Sequence, residues 1–175
     1  MYWKLTENIW WGDRHSVEEL KDEVGSVLNL AHNEELSPRR TRYNPLVLGG
    51  HVPYFRLGAH DRTFLTDTFL RELDSLLDIC LWHLPMLIHC YEGKHRSPIV
   101  AVWAATKLSD YSRDAYKAVL SKAIALHPDF MTTLEYNYSI SVQRKIESKI
   151  RDEEGFLASQ AGISRLFQVK HLTPT

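Results

Sequence analysis

Short apolar runs alternate with longer amphipathic segments along this chain, and these two periods predict alternating strands and helices. The apolar runs predict strands at 2–5, 9–11, 26–31, 52–57 and 85–88. The amphipathic segments predict helices at about 63–83, 98–109, 113–126 and 132–150. A short helix is also expected at Ser16, because Ser16 and Glu19 have the spacing of a capping box. This order favours an α/β fold in which a small central mixed sheet is flanked by helices.

The composition is that of a single soluble enzyme domain. The 175 residues are 44% hydrophobic and 25% charged, and no Pro- or Gly-rich linker divides them. A net charge of −1 gives no general attraction to nucleic acid or to an acidic membrane, so any attraction for anions has to be local. Neither a signal peptide nor an apolar run of membrane-spanning length is evident. With only two cysteines, the chain is expected in a reducing compartment, the cytoplasm.

The most informative segment joins the strand at 85–88 to the helix at 98–109. It reads His-Cys-Tyr-Glu-Gly-Lys-His-Arg-Ser, and we call residues 90–96 the cysteine loop. A helix that begins near Ser97, with Pro98 at its first position, directs free backbone N–H groups and the positive end of its dipole into this loop. Gly93 allows the backbone to turn there, so the amides of the loop can surround an oxyanion.

The side chains of the loop indicate phosphate chemistry with a sulfur nucleophile. Arg96 carries a planar guanidinium that suits two phosphate oxygens at once. The same positive field favours the thiolate of Cys90, which can attack a bound phosphate in line and form a phosphocysteine. Ser97 is placed to donate to that sulfur, and His89 to fix the orientation of the cysteine. The interpretation requires a sulfur that is ionised at neutral pH and accessible to solvent.

The pattern His-Cys-x-x-Gly-x-x-Arg-Ser resembles the signature of the cysteine-dependent protein tyrosine phosphatase superfamily, specifically its dual-specificity branch. Residues 28–31, the region of Asp61 and the segment from 127 to 131 resemble the same family, so the resemblance covers about residues 1–147. It implies a three-layer fold, with a catalytic domain at 1–150 and a C-terminal extension at 151–175. It also implies a hydrolase that needs no cofactor. The implied phosphate-binding residues are Tyr91, Glu92, Gly93, Lys94, His95 and Arg96.

A general acid is needed to protonate the departing oxygen, and Asp61 is the candidate. It lies 29 residues before Cys90, between the strand at 52–57 and the following helix, where the family has its acid. The alternative is that Asp61 only caps a helix beginning at Thr63. Asp67, about one turn inside that helix, is the second candidate for the acid.

The substrate class follows less directly from the residues. Tyr91 and Glu92 favour a dual-specificity protein phosphatase, and we expect the Glu92 carboxylate to turn outward to a neighbouring group. Residues 93–96 instead resemble relatives that act on inositol pyrophosphates, and a lysine in the loop is common in phosphoinositide phosphatases. The expected substrate is therefore a phosphorylated protein, with inositol or lipid phosphates as the alternative. A phosphate-binding module without turnover is a third hypothesis.

Other sites fit the sequence less well. Gly93 and Lys94 lack the flanking residues of a nucleotide-binding P-loop. No zinc site is expected, because the two cysteines are ten positions apart and the histidines are scattered. Cys80 is predicted to pack in the core rather than to form a disulfide with Cys90. The basic cluster at 38–42 either contacts an acidic or multiply phosphorylated substrate or is simply solvated.

Overall fold

A five-stranded mixed sheet lies at the centre of the computed structural model, which describes residues 1–32, 52–59, 66–128 and 144–160. The strands are β1 (Tyr2–Lys4), β2 (Ile9–Gly12), β3 (Ser26–Asn29), β4 (Tyr54–Arg56) and β5 (Met86–His89). Their order across the sheet is β1-β2-β5-β3-β4, in which β1 is antiparallel to β2 and the other neighbours are parallel. All five predicted strands are confirmed, and β5, which leads into the cysteine loop, is the central one.

The three central strands are buried along their whole length, so helices must cover both faces of the sheet. On one face, Trp10, Val27 and Leu87 pack with two residues of a short helix, α1 (Ser16–Leu20). On the opposite face, Trp11 and Ile88 belong to the larger core, which is covered by the remaining helices. Neighbouring residues of one strand thus point into different cores, as the two-residue period of a strand requires. The three-layer prediction is confirmed.

The helices of the larger layer follow the predicted order. They are α2 (Asp67–Cys80), α3 (Arg96–Leu108), α4 (Arg113–Leu126) and a helical segment at 144–160, which we call α5. The start of α2 differs from the prediction, because the helix begins at Asp67 and not near residue 63. Thr66 has extended dihedral angles, and its hydroxyl accepts the amide of Phe69 at 3.1 Å, so it is the N-cap.

The predicted capping box at Ser16 is wrong. The Ser16 hydroxyl donates to the carbonyl of Met1 at 2.7 Å instead of capping α1. Asp13 takes over the capping function, since its Oδ1 accepts the amides of His15 at 2.9 Å and Ser16 at 3.1 Å. Asp13 lies three residues before Ser16, the first residue of α1, and its carboxylate accepts these amides in place of a serine N-cap.

The last described helix runs across the predicted domain boundary at residue 150. Ile146 and Ile150 are buried in the larger core, and Arg113 of α4 forms a two-pronged ion pair with Glu154 at 3.0 and 2.8 Å. The side chains of Phe156 and Leu157 are more than half exposed. The division into a domain at 1–150 and an extension at 151–175 stays a prediction, and residues 161–175 lie outside the described part. Of the helices that the structure describes, none has the length and apolar character to cross a membrane.

Candidate active site

The cysteine loop occupies the strand-to-helix junction that the sequence predicts. The strand β5 ends at His89, and α3 begins at Arg96, so the loop leaves the carboxyl end of the central strand and enters a helix of 13 residues. Because α3 begins at Arg96, Pro98 is its third residue and not its first, which corrects the predicted start. The free amides of the first turn still lie next to the loop, where anions are favoured.

Two donors contact the sulfur of Cys90 from within this segment. The amide of Gly93 donates to Sγ at 3.2 Å, and the Ser97 hydroxyl lies 3.4 Å from it. The Ser97 hydroxyl is also 3.2 Å from the carbonyl of Gly12. Because the hydroxyl has a single proton, it can donate to only one of these two partners at a time. The predicted contact between Ser97 and the nucleophile is present.

Access to that sulfur is narrower than expected. Only 2% of Cys90 is exposed, so the predicted solvent-accessible thiol is not what the structure shows. The sulfur lies at the floor of the loop, where the amide of Gly93 and the hydroxyl of Ser97 cover it. A broadly exposed thiol is therefore excluded.

Gly93 has the conformation that the prediction gave it. Its φ is +77°, in the left-handed region, and a Cβ at this position would lie 2.8 Å from the amide nitrogen of Asp13. Both the dihedral angle and the close approach of the neighbouring backbone therefore require glycine, and this conformation also aims the Gly93 amide at Cys90.

The guanidinium of Arg96 is buried beside the loop. The residue is 3% exposed, and its Nη1 donates to the carbonyls of Ala59 at 2.8 Å and Leu30 at 3.5 Å. These carbonyls follow β4 and β3, so the cation is held at the same edge of the sheet as Cys90. The prediction assigned Arg96 only to phosphate oxygens, whereas the structure also gives it backbone carbonyls that fix its position.

Glu92 and Lys94 are the exposed side chains of the loop. Glu92 and Lys94 form an ion pair at 3.5 Å, and both side chains are more than half exposed. This confirms that the Glu92 carboxylate turns to a neighbouring group, and it leaves the charge of Lys94 partly neutralised. His95 is the residue that precedes α3, and its side chain makes no capping hydrogen bond.

His89 is fully buried directly before the nucleophile. Its Nδ1 lies 3.4 Å from the carbonyl oxygen of Cys90, and its ring is 6.4 Å from the ring of Tyr54. Burial lowers the pKa of His89 from 6.5 to about 4, because the charged imidazolium loses its hydration, so the ring is neutral at neutral pH. The contact with Cys90 agrees with the predicted orienting role.

Of the two candidate acids, the structure describes only the second. Asp61 lies outside the described residues, so its role as the acid stays a prediction. The alternative made Asp61 the cap of the helix that follows, but the N-cap of α2 is Thr66. Asp67 is the first residue of α2, its side chain is 89% exposed, and it pairs with Lys145 at 2.7 Å. That lysine lowers the pKa of Asp67, and an ionised, paired carboxylate is poorly suited to donate a proton.

Residues 12–14, at the end of β2, were not among the predicted site residues. Gly12 is in register with His89 in the parallel pair, so residues 12–14 run beside the start of the cysteine loop. The carbonyl of Gly12 accepts the amide of Cys90 at 3.3 Å, and the guanidinium carbon of Arg14 lies 4.0 Å from the centre of the Tyr91 ring. The carboxyl ends of parallel strands meet at one edge of a sheet. A prediction that β2 pairs with β5 would therefore have identified these residues as neighbours of the loop.

The other predicted features lie away from the loop or outside the described residues. Cys80 is fully buried in the larger core as a free thiol, and burial raises its pKa to about 12. The prediction of core packing is confirmed.

The basic cluster at 38–42 is outside the described residues. A cavity of about 760 Å³, lined in part by Trp82 and Phe156, contains no predicted site residue. In the described ranges, no three histidine, cysteine or acidic side chains are grouped to hold a metal ion.

Solved structures of phosphatases share the fold of this chain. The active form of Tk-PTP is 17% identical and superposes with a TM-score of 0.60, covering 82% of this chain and 94% of its own. The kinase associated phosphatase KAP, with its catalytic-site cysteine substituted by serine, is 21% identical with a TM-score of 0.56, and 77% of each chain is covered. The PP-IP phosphatase SIW14 from S. cerevisiae is 20% identical with a TM-score of 0.55, and 92% of each chain is covered.

The chain has the fold of cysteine-based tyrosine and dual-specificity phosphatases. No protein-family model matches the sequence, and no curated protein matches it either. The likeness is therefore one of structure, and it agrees with the family that the cysteine loop resembles.

The buried His89 predicts a specific loss of stability in acid. Its pKa is lowered on folding, so between pH 6.5 and about 4 the unfolded chain binds a proton that the folded chain does not. The folded protein keeps its full free energy of unfolding above pH 6.5, where His89 is neutral in both states, and loses part of it as the pH falls towards 4. We expect His89 to contribute a loss of about 3 kcal/mol in the free energy of unfolding over this range.

Urea denaturation of the wild type and of His89→Gln from pH 7 to pH 4 measures this contribution. The free energy of unfolding should fall more steeply with acid in the wild type, since the titration of carboxylates is common to both chains. Parallel pH profiles for the two chains would show that His89 is not held neutral by burial.

Proposed function

We propose that this protein is a phosphatase that hydrolyses phosphate monoesters through a phosphocysteine, without a metal ion. The observation that carries the proposal is the placement of the Cys90 sulfur, which receives the Gly93 amide at 3.2 Å and lies 3.4 Å from the Ser97 hydroxyl. Donors directed at a sulfur stabilise its ionised form, and α3 adds the positive end of its dipole. A buried arginine completes the site.

In the first step, the Cys90 thiolate attacks the phosphorus of a bound monoester. A sulfur–phosphorus bond forms as the bond from phosphorus to the ester oxygen breaks, and Asp61 donates a proton to the departing alkoxide or phenoxide. Arg96 and the amides of the loop stabilise the charge on the three other oxygens. The phosphate-binding residues are then Tyr91, Glu92, Gly93, Lys94, His95 and Arg96, of which Glu92 contributes its amide and not its outward carboxylate.

In the second step, water attacks the phosphocysteine and releases inorganic phosphate. Asp61, now ionised, accepts a proton from the attacking water, and the sulfur–phosphorus bond breaks with the electron pair returning to sulfur. The Ser97 hydroxyl donates to that sulfur as its charge develops, which its position supports. His89 acts on neither atom directly and supports the backbone of Cys90.

A phosphorylated protein is the substrate that we propose. The ion pair between Glu92 and Lys94 neutralises part of the charge at the outer face of the loop, which reduces its attraction for a compact cluster of phosphates. A cytoplasmic location agrees with the proposal, because both cysteines are free thiols.

Inositol pyrophosphates or phosphoinositides are the alternative substrate. The likeness to a PP-IP phosphatase and the sequence Gly93–Arg96 support this alternative. Parallel assays with phosphotyrosine, phosphoserine and phosphothreonine peptides and with an inositol pyrophosphate discriminate the two classes. A preference for the peptides in kcat/KM is the expected result.

Replacement of the nucleophile should abolish turnover. We expect Cys90→Ser to reduce hydrolysis of 4-nitrophenyl phosphate by at least about 10³-fold, since a serine hydroxyl in this position is not ionised. Cys80→Ser is the matched control and should keep its activity, because Cys80 is a buried thiol of the core. Continuous absorbance assays with and without EDTA measure both effects, and EDTA should leave the wild-type rate unchanged.

A phosphate-binding module without catalysis would bind phosphate but show no turnover in the wild type. Loss of activity in EDTA, or unchanged activity in Cys90→Ser, would contradict the proposed mechanism.

The proposed acid should matter in proportion to the leaving group. We expect Asp61→Asn to slow hydrolysis of phenyl phosphate by about 10²-fold or more, but to affect 4-nitrophenyl phosphate much less, because a nitrophenoxide departs without a proton. Asp67→Asn is the control, since its carboxylate pairs with Lys145. Values of kcat/KM over a series of aryl phosphates test this prediction. If Asp61→Asn slowed phenyl phosphate and 4-nitrophenyl phosphate by the same factor, the acid would be another residue.

A further inference from the structure

Three contacts of Arg14 converge on Tyr91, the second residue of the cysteine loop. The amide of Arg14 donates to the carbonyl oxygen of Tyr91 at 3.3 Å, and its Nη1 approaches the same oxygen at 3.5 Å. The guanidinium carbon also lies 4.0 Å from the centre of the Tyr91 ring, a cation–π distance. Arg14 therefore holds both the backbone and the ring of this residue.

The geometry of the peptide bond transmits these contacts to the next residue. A trans peptide unit is planar, so its carbonyl and the N–H that follows point in opposite directions. When Arg14 holds the Tyr91 carbonyl, the amide of Glu92 is fixed on the side away from Arg14. The amide after it, that of Gly93, already points at the Cys90 sulfur at 3.2 Å. The Glu92 amide thus directly precedes, in the chain, an amide that faces the sulfur.

The charge of Arg14 is not neutralised by a carboxylate among the described residues. In the part of the chain that the structure describes, no carboxylate forms an ion pair with Arg14, whereas Lys94 pairs with Glu92 at 3.5 Å. A cation next to the Tyr91 carbonyl polarises that peptide unit, which makes the Glu92 amide a stronger donor to an anion.

We propose that Arg14 is a positioning residue for phosphate binding, which fixes the peptide unit between Tyr91 and Glu92 so that the Glu92 amide faces the bound phosphate. The inference rests on the proposed phosphatase function and deepens it, because it assigns the geometry of one donor of the phosphate site to a residue outside the cysteine loop. Arg14 itself contacts neither the phosphate nor the sulfur in this proposal.

The test measures binding of inorganic phosphate to Cys90→Ser, with no turnover required. Isothermal titration should show phosphate binding about 5- to 20-fold more weakly when Arg14→Ala is added, since one donor is misplaced rather than removed. Arg14→Gln, which keeps a planar group without the charge, should weaken binding by a smaller factor. In the wild-type background, Arg14→Ala should lower kcat/KM for 4-nitrophenyl phosphate by a similar factor, mainly through a higher KM.

The matched control is Arg113→Ala, which removes an arginine that pairs with Glu154 away from the loop. Its phosphate affinity should stay within about twofold of Cys90→Ser. Tyr91→Ala should weaken binding as Arg14→Ala does, and the double variant should be little worse than either alone, because both changes release the same peptide unit. Thermal unfolding shows whether Arg14→Ala and Arg14→Gln are folded at the assay temperature.

Phosphate affinity within twofold of the parent in both Arg14 variants would overturn the inference. So would full additivity of Arg14→Ala and Tyr91→Ala. These results are separate from the proposed function: an inactive wild type with weakened phosphate binding in Arg14→Ala contradicts the enzyme and supports the positioning role. An active wild type with unchanged phosphate affinity in the Arg14 variants supports the enzyme and contradicts the positioning role.

Discussion

The site depends on the hydrogen bonds that hold the first residue of the cysteine loop against the end of a neighbouring strand. The carbonyl of Gly12 accepts the Cys90 amide at 3.3 Å and lies 3.2 Å from the Ser97 hydroxyl. One oxygen at the end of β2 therefore fixes the residue that carries the sulfur and accepts a hydrogen bond from Ser97, whose hydroxyl also lies 3.4 Å from that sulfur. The parallel pairing of Gly12 with His89 puts this oxygen in place, so the chemistry of the loop follows from the register of the sheet.

The segment from the end of β5 to the start of α3 holds three buried polar residues that a stable core would ordinarily exclude. His89, Arg96 and Ser97 are each at most 3% exposed. Burial of polar groups is costly unless they are hydrogen-bonded, and here backbone carbonyls supply the partners: Ala59 and Leu30 for Arg96, and Gly12 for Ser97. A rigid cation and a rigid hydroxyl at the floor of the loop need no reorganisation when charge develops on a phosphoryl group.

The sequence predicted the elements well and their ends less well. Periodicity located all five strands and the helices α3 and α4. It misplaced the start of α2 and the cap of α1, which depend on whether the side chains of Thr66 and Asp13 accept a backbone amide. Those contacts are local and cannot be read from hydrophobic spacing.

The part of the site that lies within one continuous segment of the sequence was predicted, and the part contributed by other strands was not. The contacts of Cys90 with Gly93 and Ser97 follow from a single loop between a strand and a helix. The carbonyls that hold Arg96 and the segment around Arg14 arrive from other strands, and only the sheet order brings them together. The near-complete burial of Cys90 was also not predicted, since it results from how closely the loop folds over the sulfur.

The most direct measurement is a rapid-quench reaction with a monoester substrate, followed by mass spectrometry of the denatured protein. The account predicts a transient mass increase of one phosphoryl group, which peptide mapping assigns to Cys90 and which is absent in Cys90→Ser. A turnover that proceeds with no phosphoryl group on Cys90 at any quench time, including in Asp61→Asn where the second step is slowed, would contradict a sulfur nucleophile.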